Sequence, residues 1–472
     1  MLFLLLGCPP AYEPPVIESV PADVSRYLPG LRCEAQVVRT EANIPHIYAE
    51  DRVDLARVMG FVAAQDRYFE IDLARRLGLG TVAELLGNDA LESDMESRSS
   101  GITFVAEQVL ANLTPDQEQW MDAYAEGINA YILAASSGAV PPPSELELAG
   151  NFLGADEPTD LMQPFDRRSV AGVAATIIYN LGYETGDVGR SRTEATLPGL
   201  FDGAPYAELR QAGVYEDIWW RVAPPKLASS SEGGWSEQGV GGPPGPGGSP
   251  KADPHAQRIE IGMLNRATER NDKLQERLGH DWNMGFGSNA WAVAGSATTD
   301  GRSLMAGDGH LALDIPGLFW QVGLDTELLG GGDTHQLGLT IPGMPYMAVG
   351  TNGKVAWSQT QVMGDITDWY REELTLNADG APLSTLFEGE VMELNSVDES
   401  FVVADIPLLD SEGRTEVWRR YTTFDGRWLA DIEGDVVSSD YEAQSGETVV
   451  MLGGDFVVPK DVDGDGIVTA LS

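Results

Sequence analysis

The stretch Gly285-Phe286-Gly287-Ser288-Asn289-Ala290-Trp291-Ala292-Val293 decides how the rest of the chain is read. A glycine stands directly before a serine, and the serine opens a run with strand character. Glycine tolerates the distorted backbone that lets a following hydroxyl reach its carbonyl carbon. Attack by the Ser288 hydroxyl on the Gly287 carbonyl would exchange the amide for an ester. Hydrolysis of that ester would leave Ser288 as a new N-terminus. A free α-amine has a pKa of about 8, so it can serve as the general base of its own hydroxyl, a compact nucleophile–base pair. Gly-Ser-Asn before a strand is by itself also an ordinary turn.

The composition around this stretch narrows the possibilities. The chain has 472 residues, with Lys plus Arg at 30 and Asp plus Glu at 73, so the formal net charge is −43. That length accommodates two or three ordinary domains, or one large one with insertions. A hydrophobic content of 43% is enough for a sizeable core and excludes global disorder. The acidity excludes nucleic acid as the main partner, because phosphate binding needs clustered Lys and Arg. It also excludes docking on an anionic membrane through a basic patch. With Cys8 and Cys33 as the only cysteines, a disulfide scaffold and a thiolate zinc site are both ruled out. Past the N-terminus no run reaches the roughly 18 apolar residues of a membrane span.

On either side of this stretch the chain divides by pattern. Val37, Val38, Ile44 and Ile47 alternate with polar residues and predict a strand or hairpin over 34–48. Leu55, Val58, Met59, Val62, Phe69 and Leu73 recur at three and four and predict a helix over 51–77, ended by Gly78 and Gly80. More helix is expected over 103–136 and 167–182. Residues 228–254 are rich in Gly, Ser and Pro and read as a flexible linker. Residues 257–279 are polar and helix-prone. Residues 288–370 and 383–452 read as strands separated by turn signals such as Thr-Thr-Asp-Gly (298–301), Pro-Gly (342–343) and Asn-Gly (352–353).

Four segments, in order, carry a resemblance. The first comprises Ile44-Pro45-His46-Ile47-Tyr48-Ala49, Gly60-Phe61-Val62-Ala63-Ala64-Gln65-Asp66-Arg67, Arg75-Arg76 and Ala83-Glu84-Leu85-Leu86-Gly87. The second is Gly287-Ser288-Asn289-Ala290-Trp291. The third is Asp308-Gly309-His310-Leu311, with His310 22 positions beyond the serine. The fourth runs from Pro342-Gly343-Met344-Pro345 through Gly350-Thr351-Asn352-Gly353-Lys354-Val355-Ala356-Trp357 to Gly364-Asp365-Ile366-Thr367-Asp368-Trp369-Tyr370. Together they resemble the penicillin acylase family of N-terminal nucleophile hydrolases, including its cephalosporin and acyl-homoserine lactone acylase branch.

The resemblance implies an α+β fold, the αββα sandwich of N-terminal nucleophile hydrolases. It implies a helical small chain over 31–225, a spacer over 226–287 removed on maturation, and a large chain from Ser288 onward, while residues 1–30 read as a lipobox-like and Pro-rich leader. A piece that is removed need not pack. It implies cleavage at Gly287–Ser288 and association of the two chains as a heterodimer. The expected activity is hydrolysis of N-acyl amides, such as β-lactams or acyl-homoserine lactones, through an acyl-enzyme on Ser288. His310 would orient or activate the serine and its amine, and the backbone N–H of Gln361 or Val362 would stabilise the oxyanion. Asp187, Asp365, Thr367 and Asp368 would hold calcium, a hard cation that takes oxygen ligands. No organic cofactor is implied.

Leu5-Leu6-Gly7-Cys8 resembles a lipobox, with Cys8 as lipid anchor, although the basic start of a signal peptide is absent. Export to the periplasm or outer membrane follows from it. Ala470-Leu471-Ser472 reads as mid-strand, so the fold is expected to be C-terminally incomplete and the second oxyanion donor, an Asn, to be missing. A catalytically incomplete fragment or a lipid-anchored binding protein is the alternative. Asp461-Val462-Asp463-Gly464-Asp465-Gly466 resembles half an EF-hand loop but lacks the closing Glu, and an acidic hairpin turn is expected there. Trp291 and Trp357 are expected in the core, and Arg67, Arg75 and Arg76 in ion pairs along their helix.

Overall fold

The computed structural model describes residues 24–150, 152–182, 188–189, 191–193, 196, 260–277, 287–311, 315–360, 368–462 and 464–472. The first strands, β1 (Gln36–Arg39) and β2 (Pro45–Tyr48), form the expected hairpin. Helix α1 (Arg52–Leu79) follows. The Asp51 carboxylate accepts from the N–H groups of Val53 and Asp54 and satisfies two of its free donors. Gly80, at φ 59°, ends it in the left-handed region that glycine adopts without strain. Gly78 instead stays inside the helix. The second expected helix is broken in two, α4 (Ile102–Ala111) and α5 (Pro115–Ser136), after the short α2 (Ala83–Leu86) and α3 (Leu91–Ser99). Pro115 sits in the first turn of α5, where its missing N–H costs nothing, and Thr114 and Gln117 form a capping box.

Glycines set how closely these helices cross. A Cβ on Gly60 would lie 2.1 Å from the Tyr124 carbonyl oxygen, and one on Gly127 1.9 Å from that of Arg57. So α1 and α5 meet backbone to backbone. The short helix α6 (Ser144–Ala149) intervenes before α7 (Arg167–Gly182). A Cβ on Gly78 would lie 2.0 Å from the Gly172 carbonyl of α7. Around the crossings Leu55, Met59, Ile71, Tyr124, Ile128, Tyr131 and Val173 are buried in one cluster. The expected ion pairs exist, but not as a surface stripe. Asp72 holds both Arg75 and Arg76, and all three are buried. Arg67 pairs with Glu70, while Asp66 pairs with Arg39 of β1.

The helical layer lies on a six-stranded sheet. After β3 (Gly287–Val293) and β4 (Leu304–His310) come β5 (Trp320–Asp325), β6 (His335–Thr340), β7 (Val349–Thr351) and β8 (Ala356–Trp357). The order is β1-β2-β5-β6-β7-β8, with β2 parallel to β5 and the other neighbours antiparallel. Ile47, Val322 and Leu324 join the helical cluster. Gly323 leaves room for His46, whose Nδ1 would be 2.5 Å from a Cβ there, so His46 is a packing residue. The sheet draws strands from both sides of Ser288, so the helical and β-rich halves share one core.

The remaining strands are β9 (Arg371–Leu376), β10 (Pro382–Phe387), β11 (Glu390–Glu393), β12 (Asn395–Val403), β13 (Arg414–Thr422), β14 (Asp431–Ile432), β15 (Gly434–Val437), β16 (Val450–Leu452), β17 (Asp455–Pro459) and β18 (Val468–Leu471). They form a five-stranded sheet, β11-β10-β9-β18-β14, a three-stranded sheet, β15-β17-β16, and the ribbon β12–β13. Phe401, Val403 and Met451 pack on Val82, Leu91 and Met95 of the helical half. The chain is therefore of α+β class. The strand expected to end in mid-sheet, β18, is buried between β9 and β14. Asp461–Gly466 links β17 to β18, which lie in different sheets, so it is a crossover and not a hairpin turn. There the Asp461 carboxylate accepts from the N–H groups of Gly464 and Gly466.

The polar segment after the Gly/Pro-rich stretch folds as α8 (Ile261–Arg277). Its Met263, Leu264 and Ala267 are buried with Val188 and Leu471. This part of the expected spacer packs, against the reading that the spacer has no need to.

Candidate active site

Strands β3 and β4 form a ribbon of their own. Its register is antiparallel: Gly287 faces His310, Ser288 faces Gly309, Asn289 faces Asp308 and Ala290 faces Gly307. Residues paired across a ribbon share a face, and successive residues alternate. Ser288, Ala290, Gly307 and Gly309 therefore make one face. Asn289, Trp291, Asp308 and His310 make the other.

The serine face is lined with small residues because something sits on it. A Cβ on Gly307 would fall 1.9 Å from the Ser358 hydroxyl, and one on Gly309 3.6 Å from Phe319. Ser358 follows β8 directly, three positions before Gln361. Ser288 is half-buried there, at the very start of β3. On the opposite face the His310 Nε2 lies 2.9 Å from the Asp308 carboxylate and 3.2 Å from the Asn289 side-chain amide. Asp308 and His310 are both substantially exposed.

The structure thus brings Gly287, Ser288 and His310 onto one ribbon but turns the serine and imidazole side chains to opposite faces. His310 stands across from Gly287, beside the peptide bond that joins Gly287 to Ser288. Asn289 and Asp308, which hold the imidazole, were not singled out in the sequence. The signal was present in the i, i+2 spacing of Asp308 and His310 on a strand, which puts both on one face. Trp291, expected in the core, is 59% exposed, since among the described residues no layer covers its face. Trp357 is half-buried, its indole N–H bonded to the Met347 carbonyl. A second imidazole–carboxylate contact joins His335 to the buried Asp325 at 2.6 Å, at the far end of β5 and β6.

Gln361, Val362, Asp365, Thr367 and Asp187 lie outside the described residues. Asp368 is described and exposed. Among the described residues no group of three or more His, Cys, Asp or Glu side chains gathers as a metal site. No helix among them is long and apolar enough to cross a membrane.

Comparison with family models matches penicillin amidase over residues 34–424. The chain belongs to the penicillin amidase family. As a penicillin amidase family member it is similar to the penicillin acylase 2 proenzyme of Pseudomonas sp. (strain SE83), with 31% identity over 78% of this chain and 41% of the relative. It is 24% identical to penicillin G acylase of Escherichia coli over 91% of this chain and 49% of the relative. It is 26% identical to acyl-homoserine lactone acylase QuiP of Pseudomonas aeruginosa over 84% of this chain and 41% of the relative. The chain spans less than half the length of these relatives.

Proposed function

We propose that this protein is a self-processing amidohydrolase of N-acyl compounds, with Ser288 as nucleophile and an αββα sandwich as its complete fold. The observation that carries the reading is the Gly287–Ser288 junction at the head of an isolated ribbon in a chain of this family. In the first step the Ser288 Oγ attacks the Gly287 carbonyl carbon. The C–N bond breaks, an ester forms, and the serine nitrogen takes up the proton to become a free amine. Water then cleaves the ester, and Gly287 leaves as a carboxylate.

The freed amine becomes the base for catalysis. It takes the Ser288 hydroxyl proton as Oγ attacks the substrate's amide carbonyl, and it returns that proton to the departing amine. Water releases the acid from the acyl-enzyme by the same route. The tetrahedral intermediates carry negative charge on oxygen, and preorganised N–H donors lower their energy. Gln361 or Val362 supplies one donor, three or four residues after Ser358 on the serine face of the ribbon. His310 faces Gly287, so its place is at the amine rather than at Oγ, with Asp308 and Asn289 fixing the ring.

Substrates pair an acyl group with a small amine-bearing head, as the names of the penicillin and homoserine lactone acylases among the relatives suggest. Calcium on Asp187, Asp365, Thr367 and Asp368 and export with a lipid anchor at Cys8 belong to the same proposal. The oxygen donors of those four residues are of the type that ion takes. The test is intact mass. The wild type is expected to give two chains, one beginning Ser-Asn-Ala-Trp, and Ser288→Ala to remain whole. A wild type that stays whole, or a Ser288→Ala variant that splits, overturns the reading.

A further inference from the structure

Helix α8 falls within the stretch assigned above to a removable spacer, yet it is among the best-anchored polar elements of the molecule. Arg266 and Arg270 stand four apart on one face, and each reaches the carboxylate of Asp431 at 2.7 Å. Asp431 opens β14 and is completely buried. Its other described polar contact is the N–H of Ile432. Arg270 also binds Asp455 of β17 and the carbonyls of Ala430 and Leu452. Arg266 binds the Ile432 carbonyl. One turn on, Lys273 reaches Glu92 of α3 at 3.0 Å. Between these contacts Met263, Leu264 and Ala267 close an apolar cluster.

The chemistry argues against removal. A buried carboxylate stripped of both counter-cations is left as an uncompensated charge, a strongly destabilising change, whereas a fully paired one is tolerated. Burial alone would pull the Arg270 guanidinium down, but Asp431 and Asp455 hold it above its usual value. The helix also touches α3 of the helical half and β14 and β17 of the β-rich half, so it ties together what a cut before Ser288 would separate.

We propose that α8 is a permanent part of the folded protein: residues 260–277 stay bound after the chain is cut before Ser288, as a cationic clamp on Asp431, and the discarded piece does not contain them. This rests on the self-cleavage reading for its natural setting. The groove it fills is a binding site for a helix of this same chain, with recognition carried by two guanidinium groups at i, i+4.

The experiment does not depend on natural cleavage. Specific protease sites are placed in the Gly/Pro-rich stretch near 245 and between 278 and 286 of the full chain. Both are cut, and the product is passed over a sizing column under native conditions. The helix peptide is expected to co-elute with the body in equal molar amount. Arg266→Met/Arg270→Met is expected to release it and to lower the Tm of the uncut chain by about 5 °C, while Lys273→Ala, at the rim, does neither. Loss of the wild-type peptide from the column overturns the proposal, as does a naturally matured protein whose peptide map lacks 260–277. A chain that never cuts itself but keeps the helix after both engineered cuts contradicts the self-cleavage reading alone.

Discussion

The α1–α5 crossing and the β3–β4 ribbon are opposite solutions to the use of small residues. At the crossing, Gly60 and Gly127 bring two helices to backbone contact inside a closed apolar cluster. On the ribbon, Gly307 and Gly309 clear one face for Ser358 and Phe319, while Trp291, Leu304 and Met305 on the ribbon stay exposed. Strand β5 is buried at five of its six positions, and β4 at none. Stability therefore resides in the helical layer and the six-stranded sheet, and the proposed chemistry resides where little stability is at stake. Substitutions in the two regions should separate cleanly.

The largest effect on folding is expected at Asp72. Changing it to Leu leaves two buried guanidinium groups without their shared carboxylate, and urea denaturation should register a loss of about 3–5 kcal/mol. A loss under about 1 kcal/mol would mean the pair is screened by water. Gly127→Ala comes next. Its methyl would meet the Arg57 carbonyl, and forced separation of α1 and α5 should cost about 3 kcal/mol in the same assay. On the ribbon, Trp291→Ser should change stability by no more than about 0.5 kcal/mol. A cost comparable to Gly127→Ala would show that the ribbon is covered in solution and would erase the contrast.

A pH slope is expected at Asp94. Burial pushes the Asp94 carboxyl up to about 7 from 3.8, against the two backbone N–H bonds it accepts from Ala83 and Val82. Over that window the native chain holds a proton that the unfolded chain has lost. Its contribution to stability is therefore full below the unfolded value and falls as pH rises through about 7. Asp94→Asn, measured by thermal unfolding between pH 4 and 8, should flatten the slope; an unchanged slope would assign it to other groups.

Much of the helical region was legible because its signals are local. The apolar stripe of α1, its end at Gly80 and the β1–β2 hairpin depend on residues close in sequence. The break at Thr114-Pro115 was missed, although the capping box was written there. The burial of α8 was illegible for a different reason. Its anchors are arginines whose partner, Asp431, lies more than 160 residues away, and hydrophobic periodicity does not register ion pairs. The placing of Asp461–Gly466 between two sheets likewise depends on long-range strand order. At the site, the Gly287–Ser288 junction and His310 were expected because they match the family's motifs. Their division between two faces needed the register.

In the proposed self-cleavage Ser288 attacks the Gly287 carbonyl and passes through an ester. Hydroxylamine intercepts esters far faster than amides. Freshly folded, uncut chain treated with neutral hydroxylamine should give a first chain ending in a Gly287 hydroxamate and a second beginning at Ser288, and Ser288→Ala should give neither. Cleavage before Ser288 that leaves Gly287 as a carboxylate whether or not hydroxylamine is present would contradict the ester route.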